Sequence, residues 1–333
     1  MFVSGISPIF IKNQKVSFKA NRSASKDVKV SVVMPIYNQE RYLPAALDSL
    51  QRQTLENAEF ICVNDGSDAT KDSSLKILRD YARKDKRIKI IDQTNQGAGP
   101  ARNNGIRAAI GEYLAFLDPD DTFEDKALEV LYKKAKGQNC DMVVFNYRDI
   151  IEETGAISQP FNVGQRLQNG ANIKIGEQGV FNWLNIKPVV FNKGMLWMAW
   201  NKIYDRDFVN RSHLHFTKSS LAEDNVFVFG ATLNADRIGY LDQCLYNHLK
   251  HEGSAVTTTS KKNLCIFQAK DSVKRLLREL GLTEELKEQF DYYVKSLIDI
   301  HKKQIPADFD LKGLCQKRLS PEQFELLKLW HVF

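Results

Sequence analysis

The stretch VVMPIYN, residues 32–38, joins an apolar β-rich segment to a polar end, and it is the first of a series of such segments. Stretches with apolar side chains at three- and four-residue spacing separate these segments. The apolar runs lie at 30–36, 59–63, 88–91, 113–117 and 141–145. This alternation predicts an α/β fold with a mostly parallel sheet flanked by helices, in which ligands bind at the carboxyl ends of the strands.

Composition limits the classes of function. With 333 residues, 43 % of them apolar, the chain can form one large α/β domain plus an appendage. The net charge of +6 is dispersed along the sequence and argues against a nucleic-acid interface. The five cysteines show no metal-ligand spacing, and no apolar run reaches the roughly twenty residues of a membrane span. We expect a cytoplasmic protein, with peripheral association at the inner face of the cell membrane left open.

Polar residues follow three of the predicted strands. They include Asn38 after the first strand, Asp65 after the second and Asp118 after the fourth. The carboxyl ends of parallel strands share one edge of a sheet, so these side chains should converge. A dinucleotide-binding dehydrogenase needs GxGxxG after its first strand, where this chain has Pro-Ile-Tyr-Asn, so that class is excluded.

The acidic cluster Asp118-Pro119-Asp120-Asp121 follows an apolar strand directly. Carboxylate oxygens suit Mg²⁺ or Mn²⁺, which keep several waters and accept diphosphate oxygens as further ligands. Alternatively, Asp120 or Asp121 caps the helix predicted at 124–137. The cluster alone leaves both interpretations open, and the other polar strand ends favour a metal site.

Four sequence blocks, in order, resemble the family 2 glycosyltransferases of GT-A fold. They are VVMPIYN (32–38), CVNDGSD (62–68), NQGAGPARNNGI (95–106) and FLDPDD (116–121). The resemblance covers about residues 28–150. It implies a Rossmann-like nucleotide-diphospho-sugar transferase domain, a nucleotide-sugar donor that is usually a UDP-sugar, and Mn²⁺ or Mg²⁺ as cofactor.

The resemblance also implies roles for individual residues. Asp120 would hold the metal, and Asp118 would face the ribose or complete the metal shell. The nucleotide contacts would be Pro35, Tyr37, Asn38, Asp65, Asn95 and Arg102. Taken singly, each has a structural alternative: Tyr37 could be a strand-end aromatic and Arg102 a solvated helix charge. The glycines Gly97, Gly99 and Gly105 should supply loop freedom and close helix packing.

The second half of the chain carries weaker signals. The stretch LAEDNVF, residues 221–227, is similar to the family's Glu-Asp element, which makes Asp224 the catalytic base beside Glu223. A helix cap is the structural alternative for this carboxylate. Trp200-Asn201-Lys202 resembles a stretch that shapes the acceptor side, with core packing as the alternative for Trp200. Lys250 and His251 would be diphosphate, acceptor-side or metal contacts, unless His251 is an ordinary surface histidine.

These assignments divide the chain into three regions. Residues 1–27 are an N-terminal extension, 28–258 the catalytic domain and 259–333 a C-terminal helical region. Within the catalytic domain, 28–150 is the nucleotide-binding half and 151–258 the acceptor-side half. Leu276, Leu280 and Leu286 mark a first amphipathic helix of the C-terminal region, and residues 290–300 mark a second. The apolar end LLKLWHVF, residues 326–333, should be covered by other parts of the protein.

The reaction implied is metal-dependent, inverting transfer of the sugar to a hydroxyl of a glycan or lipid-linked acceptor in bacterial surface polysaccharide synthesis. One alternative is a degenerate transferase that binds glycans or serves as a scaffold, but Asp118, Asp120 and Asp224 are all present. The other is a haloacid-dehalogenase-type phosphatase with Asp118 as nucleophile, because Asp118-x-Asp120-x-Thr122 resembles its motif. That family carries the motif on its first strand, whereas three predicted strands precede it here.

Overall fold

The computed structural model describes residues 28–165, 167, 179–182, 198–218, 223–252, 265–291, 312–313 and 325. The strands are β1 (Val30–Ile36), β2 (Ala58–Asp65), β3 (Ile88–Gln93), β4 (Tyr113–Phe116), β5 (Thr122–Phe123), β6 (Met142–Ile151), β7 (Val180–Phe181), β8 (Lys202–Asp205) and β9 (Ile238–Lys250). The helices are α1 (Leu43–Gln51), α2 (Ser74–Lys84), α3 (Ala98–Ala108), α4 (Ala127–Gly137), α5 (Arg206–Arg211), α6 (Asn225–Asn234) and α7 (Cys265–Glu279).

The strands form one mixed sheet in the order β3-β2-β1-β4-β8-β6-β9-β5, and β7 pairs with β9. The first four strands of this order are mutually parallel, as the sequence predicts. All five predicted strands are present, but the fifth, β6, does not pair with β4. The short strand β8 lies between them and is antiparallel to both.

The centre of the sheet is covered on both faces. Every residue of β1 and β2 is buried, which is typical of parallel strands that lie between two helical layers. Helix α3 approaches β1 closely, because a Cβ on Gly105 would lie 2.3 Å from Cγ1 of Val33. Gly97, with φ of 96°, opens the helix in a conformation that side chains disfavour. The packing and loop roles predicted for these glycines are confirmed.

Helix α6 joins the second half of the chain to this sheet. Phe227 in its first turn stacks on Phe216, with ring centroids 4.3 Å apart. The edges of Phe116 on β4 and Tyr204 on β8 meet the same ring at 5.5 and 5.1 Å. Because α6 is anchored here, Asp224, the residue before it, lies near the carboxyl end of β4.

Helix α7 lies in the predicted C-terminal region and packs against α6 near Leu276 and Gly230. The extension 1–27, most of the predicted second helix and the apolar end 326–333 lie outside the described residues. The described helices include none with the length and apolarity needed to cross a membrane. Three cysteines in the described ranges, Cys62, Cys140 and Cys244, are free thiols.

Candidate active site

The loops after β1 and β2 are joined through Asn38. This residue adopts the left-handed conformation, with φ of 52°. Its backbone N–H donates to Oγ of Ser67 at 3.1 Å, and its Oδ1 accepts from the backbone N–H of Asp68 at 3.0 Å. Tyr37, which follows the buried Pro35 and Ile36 of β1, is 49 % exposed. The edge of the sheet at the carboxyl ends of β1 and β2 therefore presents an aromatic side chain, on a loop that the hydrogen bonds of Asn38 hold in place.

Asp65, at the end of β2, fixes the segment that leads into α3. Its Oδ1 accepts from Nε2 of Gln93 at 2.7 Å and from the N–H of Gln96 at 2.9 Å, and its Oδ2 accepts from the N–H of Gly97 at 2.8 Å. A carboxylate oxygen can accept two hydrogen bonds, so Oδ2 keeps capacity for a further donor. Asn95 is exposed beside this segment. Nucleotide contacts by Asp65 and Asn95 stay predictions.

Arg102 on α3 joins the two acidic parts of the site. Its Nη2 lies 2.7 Å from Oδ1 of Asp118, and its Nη1 lies 2.6 Å from Oε1 of Glu223. The side chain is only 9 % exposed, so the solvated-charge alternative is wrong. Burial alone lowers the pKa of Arg102, but the carboxylates of Asp118, Glu223 and Asp224 outweigh burial and raise it above its ordinary value.

The acidic cluster after β4 is held largely by β9. Asp121 is buried, and its carboxylate accepts from the hydroxyl of Tyr246 and from the N–H of Leu249, both at 2.7 Å. The Tyr246 hydroxyl also accepts from the N–H of Asp118 at 3.2 Å. Helix α4 begins only at Ala127 and has Lys126 at its N-cap position. The alternative in which these aspartates cap that helix is therefore wrong.

Asp120 pairs with His251. Its Oδ2 lies 3.0 Å from Nε2 of His251, whose side chain is 7 % exposed and packs on the ring of Tyr42 with centroids 4.3 Å apart. The surface-histidine alternative is thus wrong. Lys250, the preceding residue, instead places its Nζ 2.5 Å from Oδ2 of Asp149. The structure brings His251 to the acidic cluster and pairs Lys250 with a residue outside it.

The carboxylate oxygens of Asp118 and Asp120 are of the kind that a divalent cation prefers, and metal binding by this pair stays a prediction. Both side chains are partly exposed, and burial and then the charge of Asp118 raise the pKa of Asp120, a cost that a cation would relieve. Within the described ranges, no group of three or more His, Cys, Asp or Glu residues forms a metal cage. Mg²⁺ commonly uses one or two carboxylates, several waters and substrate phosphates, which agrees with this donor set.

Asp224 occupies the N-cap position of α6, and no side-chain cap hydrogen bond is found for it in the described part of the chain. Its Oδ1 accepts from Nδ2 of Asn225 at 3.2 Å. Burial, and then the neighbouring Glu223, raise the pKa of Asp224 to about 7, and Arg102 opposes this shift. A carboxyl group with this proton affinity is suited to accept a proton near neutral pH.

Trp200 supports the site from the core. Its ring stacks on Tyr246 with centroids 4.4 Å apart and on His248 at 5.4 Å, and the edge of Tyr147 meets it at 4.8 Å. Trp200 is only 7 % exposed. It therefore holds the tyrosine that binds the acidic cluster, and direct contact with an acceptor stays a prediction. Tyr246 itself was not predicted, because it follows Asp121 by 125 residues and no motif marks it.

Residues 31–197, half of the chain, match the family model described as Glycosyl transferase family 2. The Bacillus subtilis (strain 168) protein EpsH, which is named as a glycosyltransferase, is 32 % identical over 272 residues, or 80 % of this chain and 74 % of EpsH. The poly(ribitol-phosphate) beta-glucosyltransferase of Bacillus spizizenii is 28 % identical over 267 residues, or 78 % of this chain and 38 % of that protein. The chain belongs to glycosyltransferase family 2.

Solved structures show the same fold. The crystal structure of S. aureus TarS 1-349 in complex with UDP-GlcNAc matches with a TM-score of 0.59 at 20 % identity, covering 92 % of this chain and 88 % of that chain. The fold is therefore that of a GT-A glycosyltransferase, and the protein is a transferase enzyme. The phosphatase alternative is excluded, because Asp118 follows the fourth strand and the chain belongs to a glycosyltransferase family.

Proposed function

We propose that this enzyme transfers a sugar from a nucleotide-diphosphate sugar, a UDP-sugar in the first instance, to a hydroxyl group with inversion at the anomeric carbon. The observation that carries the proposal is the position of Arg102. This buried side chain contacts Asp118 and Glu223 at once, so it joins the acidic end of β4 to the residues before α6. Asp224, with a pKa of about 7, follows Glu223 directly.

The donor would bind along the rim formed by the loops after β1, β2 and β4. Tyr37 offers an exposed ring for the base, and Asp65 keeps one acceptor position beside Asn95. The TarS structure, which shares the fold, was solved with UDP-GlcNAc and supports a UDP-sugar. Asp120 and Asp118 would hold Mn²⁺ or Mg²⁺, which when bound offsets the charge that develops on the leaving diphosphate.

Asp224 would act as general base. The acceptor oxygen forms a bond to the anomeric carbon while the bond from that carbon to the diphosphate breaks. The acceptor proton passes to Asp224, and the nucleoside diphosphate leaves with the bonding electron pair. The bonds form and break on opposite faces of the sugar, so the configuration inverts. The buried position of Asp224 beside Glu223 raises its pKa to about 7, which suits proton transfer at neutral pH.

The acceptor proposed is a glycan or a lipid-linked saccharide in bacterial surface polysaccharide synthesis, at the inner face of the cell membrane. One relative is named for a polymer acceptor, poly(ribitol-phosphate), which supports a polymeric or polymer-precursor hydroxyl. The described residues of the predicted acceptor-side half include Asp224 and the aromatic stack around Trp200. Acceptor choice would depend on side chains in this half.

The test is Asp224→Asn, which keeps the side-chain size and removes the proton acceptor. We expect transfer to fall about 10²–10⁴-fold while donor affinity, measured by calorimetry, changes little. Asp207→Asn, at an exposed position in α5, serves as the control and should keep wild-type turnover. Wild-type turnover in Asp224→Asn would remove the base assignment. No turnover in the wild type with any donor would favour the glycan-binding alternative.

A further inference from the structure

Lys202 is a fully buried lysine that the reaction described above does not use. It begins β8, the strand between β4 and β6, and is 0 % exposed. Its Nζ donates to the carbonyl oxygen of Met198 and to Oδ1 of Asn201, both at 2.7 Å. Removing an ammonium group from water is costly, so a buried lysine keeps its charge only where acceptors or anions lie nearby.

The register of β8 places Lys202 next to the active site. Ala115 on β4 pairs with Ile203, so Lys202 lies at the end of β4, where the chain continues to Asp118. Side chains alternate along a strand, which puts Lys202 on the same face as Tyr204. The Tyr204 ring meets Phe227 in the first turn of α6. This face of β8 therefore packs beneath the start of α6, where Asp224 lies.

The charges around Asp224 show what Lys202 adds. Burial and then the carboxylate of Glu223 raise the pKa of Asp224, as Asp118 also does, and Arg102 lowers it. Arg102 is itself bound to both of those carboxylates. One guanidinium therefore faces three carboxylates, so a further cation near Asp224 would favour its charged form. Among the described residues, the ammonium of Lys202 and the phenol of Tyr204 also interact with the charge of Asp224.

We propose that Lys202 is a positioning residue, a second buried cation on the face of β8 that packs against the start of α6, and that its charge favours the deprotonated form of Asp224, which accepts the acceptor's proton. The inference rests on the proposed function, in which Asp224 is the base. Burial lowers the pKa of Lys202 to about 7, and Asp224 opposes this shift. Lysine and aspartate therefore titrate in the same range and influence each other.

The first test is the pH dependence of kcat/KM in Lys202→Met, which keeps the length of the side chain without its charge. We expect the acid limb of the profile to move upward by about one pH unit, because an opposite charge near a carboxyl lowers its pKa by that order. Lys202→Arg should keep the wild-type limb. Lys134→Met, at a buried lysine on α4, should also leave the limb in place. An unmoved limb in Lys202→Met overturns the inference.

The second test does not depend on Lys202→Met folding or on turnover. Lysine ¹³Cε signals are titrated by NMR in the wild type and in Asp224→Asn, with the Lys202 signal assigned from Lys202→Arg. We expect the Lys202 midpoint to fall by about one pH unit when the Asp224 charge is lost. An unchanged midpoint contradicts the inference. Full turnover in Asp224→Asn would remove the base assignment instead, so the two failures are distinguishable.

Discussion

Asp121 and Asp224 are both buried carboxyl groups whose pKa lies above the ordinary value, but their surroundings differ. Neutral donors hold Asp121: the hydroxyl of Tyr246 and the N–H of Leu249, each at 2.7 Å. Among the described residues, Asp224 accepts one longer hydrogen bond, at 3.2 Å from the amide of Asn225. Asp121 has two short contacts, one to each of its oxygens, and the described residues provide no such pair for Asp224.

Charged groups of both signs act on Asp224, whereas burial and then the carboxylates of Asp120 and Asp118 raise the pKa of Asp121. Burial and then Glu223 raise the pKa of Asp224, as Asp118 does, and Arg102 lowers it. Lys202 lies buried on β8. Burial raises the pKa of both carboxyl groups, and the neutral hydrogen-bond donors lower that of Asp121. The two positions therefore differ in what opposes the rise in pKa: chiefly hydrogen bonds from neutral donors at Asp121, and chiefly the Arg102 guanidinium at Asp224.

Arg102 connects the end of β4 with the start of α6, so Arg102→Met should cause the largest loss of unfolding free energy. The substitution leaves Asp118 and Glu223 without their buried partner, and breaking such a pair costs about 3–5 kcal/mol. Urea unfolding measures the loss. Arg83→Met is the matched control, because the exposed Arg83–Asp80 pair should contribute at most about 1 kcal/mol. Equal, small losses in both variants would show that Arg102 does not join the two regions.

Tyr246→Phe tests how much the neutral donors of Asp121 contribute to stability. Removal of the hydroxyl leaves an oxygen of a buried carboxylate without its donor, which should cost about 1–3 kcal/mol in unfolding free energy. Tyr132→Phe is the control, because its hydroxyl makes an exposed 3.4 Å contact with Glu112 and should contribute within about 0.5 kcal/mol. A Tyr246→Phe protein as stable as this control would contradict the role assigned to the neutral donors.

The pH dependence separates proton transfer from stability by the sign of its effect on each. Because Asp224 must be deprotonated to act as base, kcat/KM should fall about tenfold per pH unit below its pKa of about 7. Stability has the opposite trend. A raised folded-state pKa favours the protonated fold, so this contribution is complete below the ordinary value of 3.8 and is lost as pH rises through about 7.

The unfolding free energy of the wild type relative to Asp224→Asn isolates this contribution. The difference should decline between pH 4 and pH 7, the interval from the ordinary value to the raised pKa. A constant difference across this range, or an acid limb of kcat/KM near pH 4, would mean that burial does not set the proton affinity of Asp224.

The parallel half of the fold could be predicted because its signals are local. The strands β1 to β4 and the helices α1 to α4 each carry their own periodicity, and the motifs stand directly at the strand ends. The two-residue strand β5 was not predicted. Strands β8 and β9 could not be predicted in this way. Strand β8 has four residues and a buried lysine, and β9 pairs with β6 through register shifts that break its alternation.

The same limit applies to the site. The sequence, through its resemblance, indicated Asp118, Asp120 and Asp224 as separate motifs. It did not indicate that Arg102 contacts residues 16 and 121 positions away, because that contact depends on how α3 packs against the later segment. The sequence assigned Lys202 no role of its own, because the burial of this lysine becomes apparent only when the register of β8 is known.

The most direct test of the central claim is nucleotide release from a panel of nucleotide sugars with Mn²⁺ or Mg²⁺, which requires no known acceptor. Wild type is compared with Asp120→Ala, and with Asp125→Ala as a control at an exposed residue paired with Arg52. We predict metal-dependent release of one nucleotide in the wild type and the control, and loss of release and of metal-dependent donor binding in Asp120→Ala. Unchanged metal-dependent donor affinity in Asp120→Ala, or no donor binding by the wild type, would contradict the account.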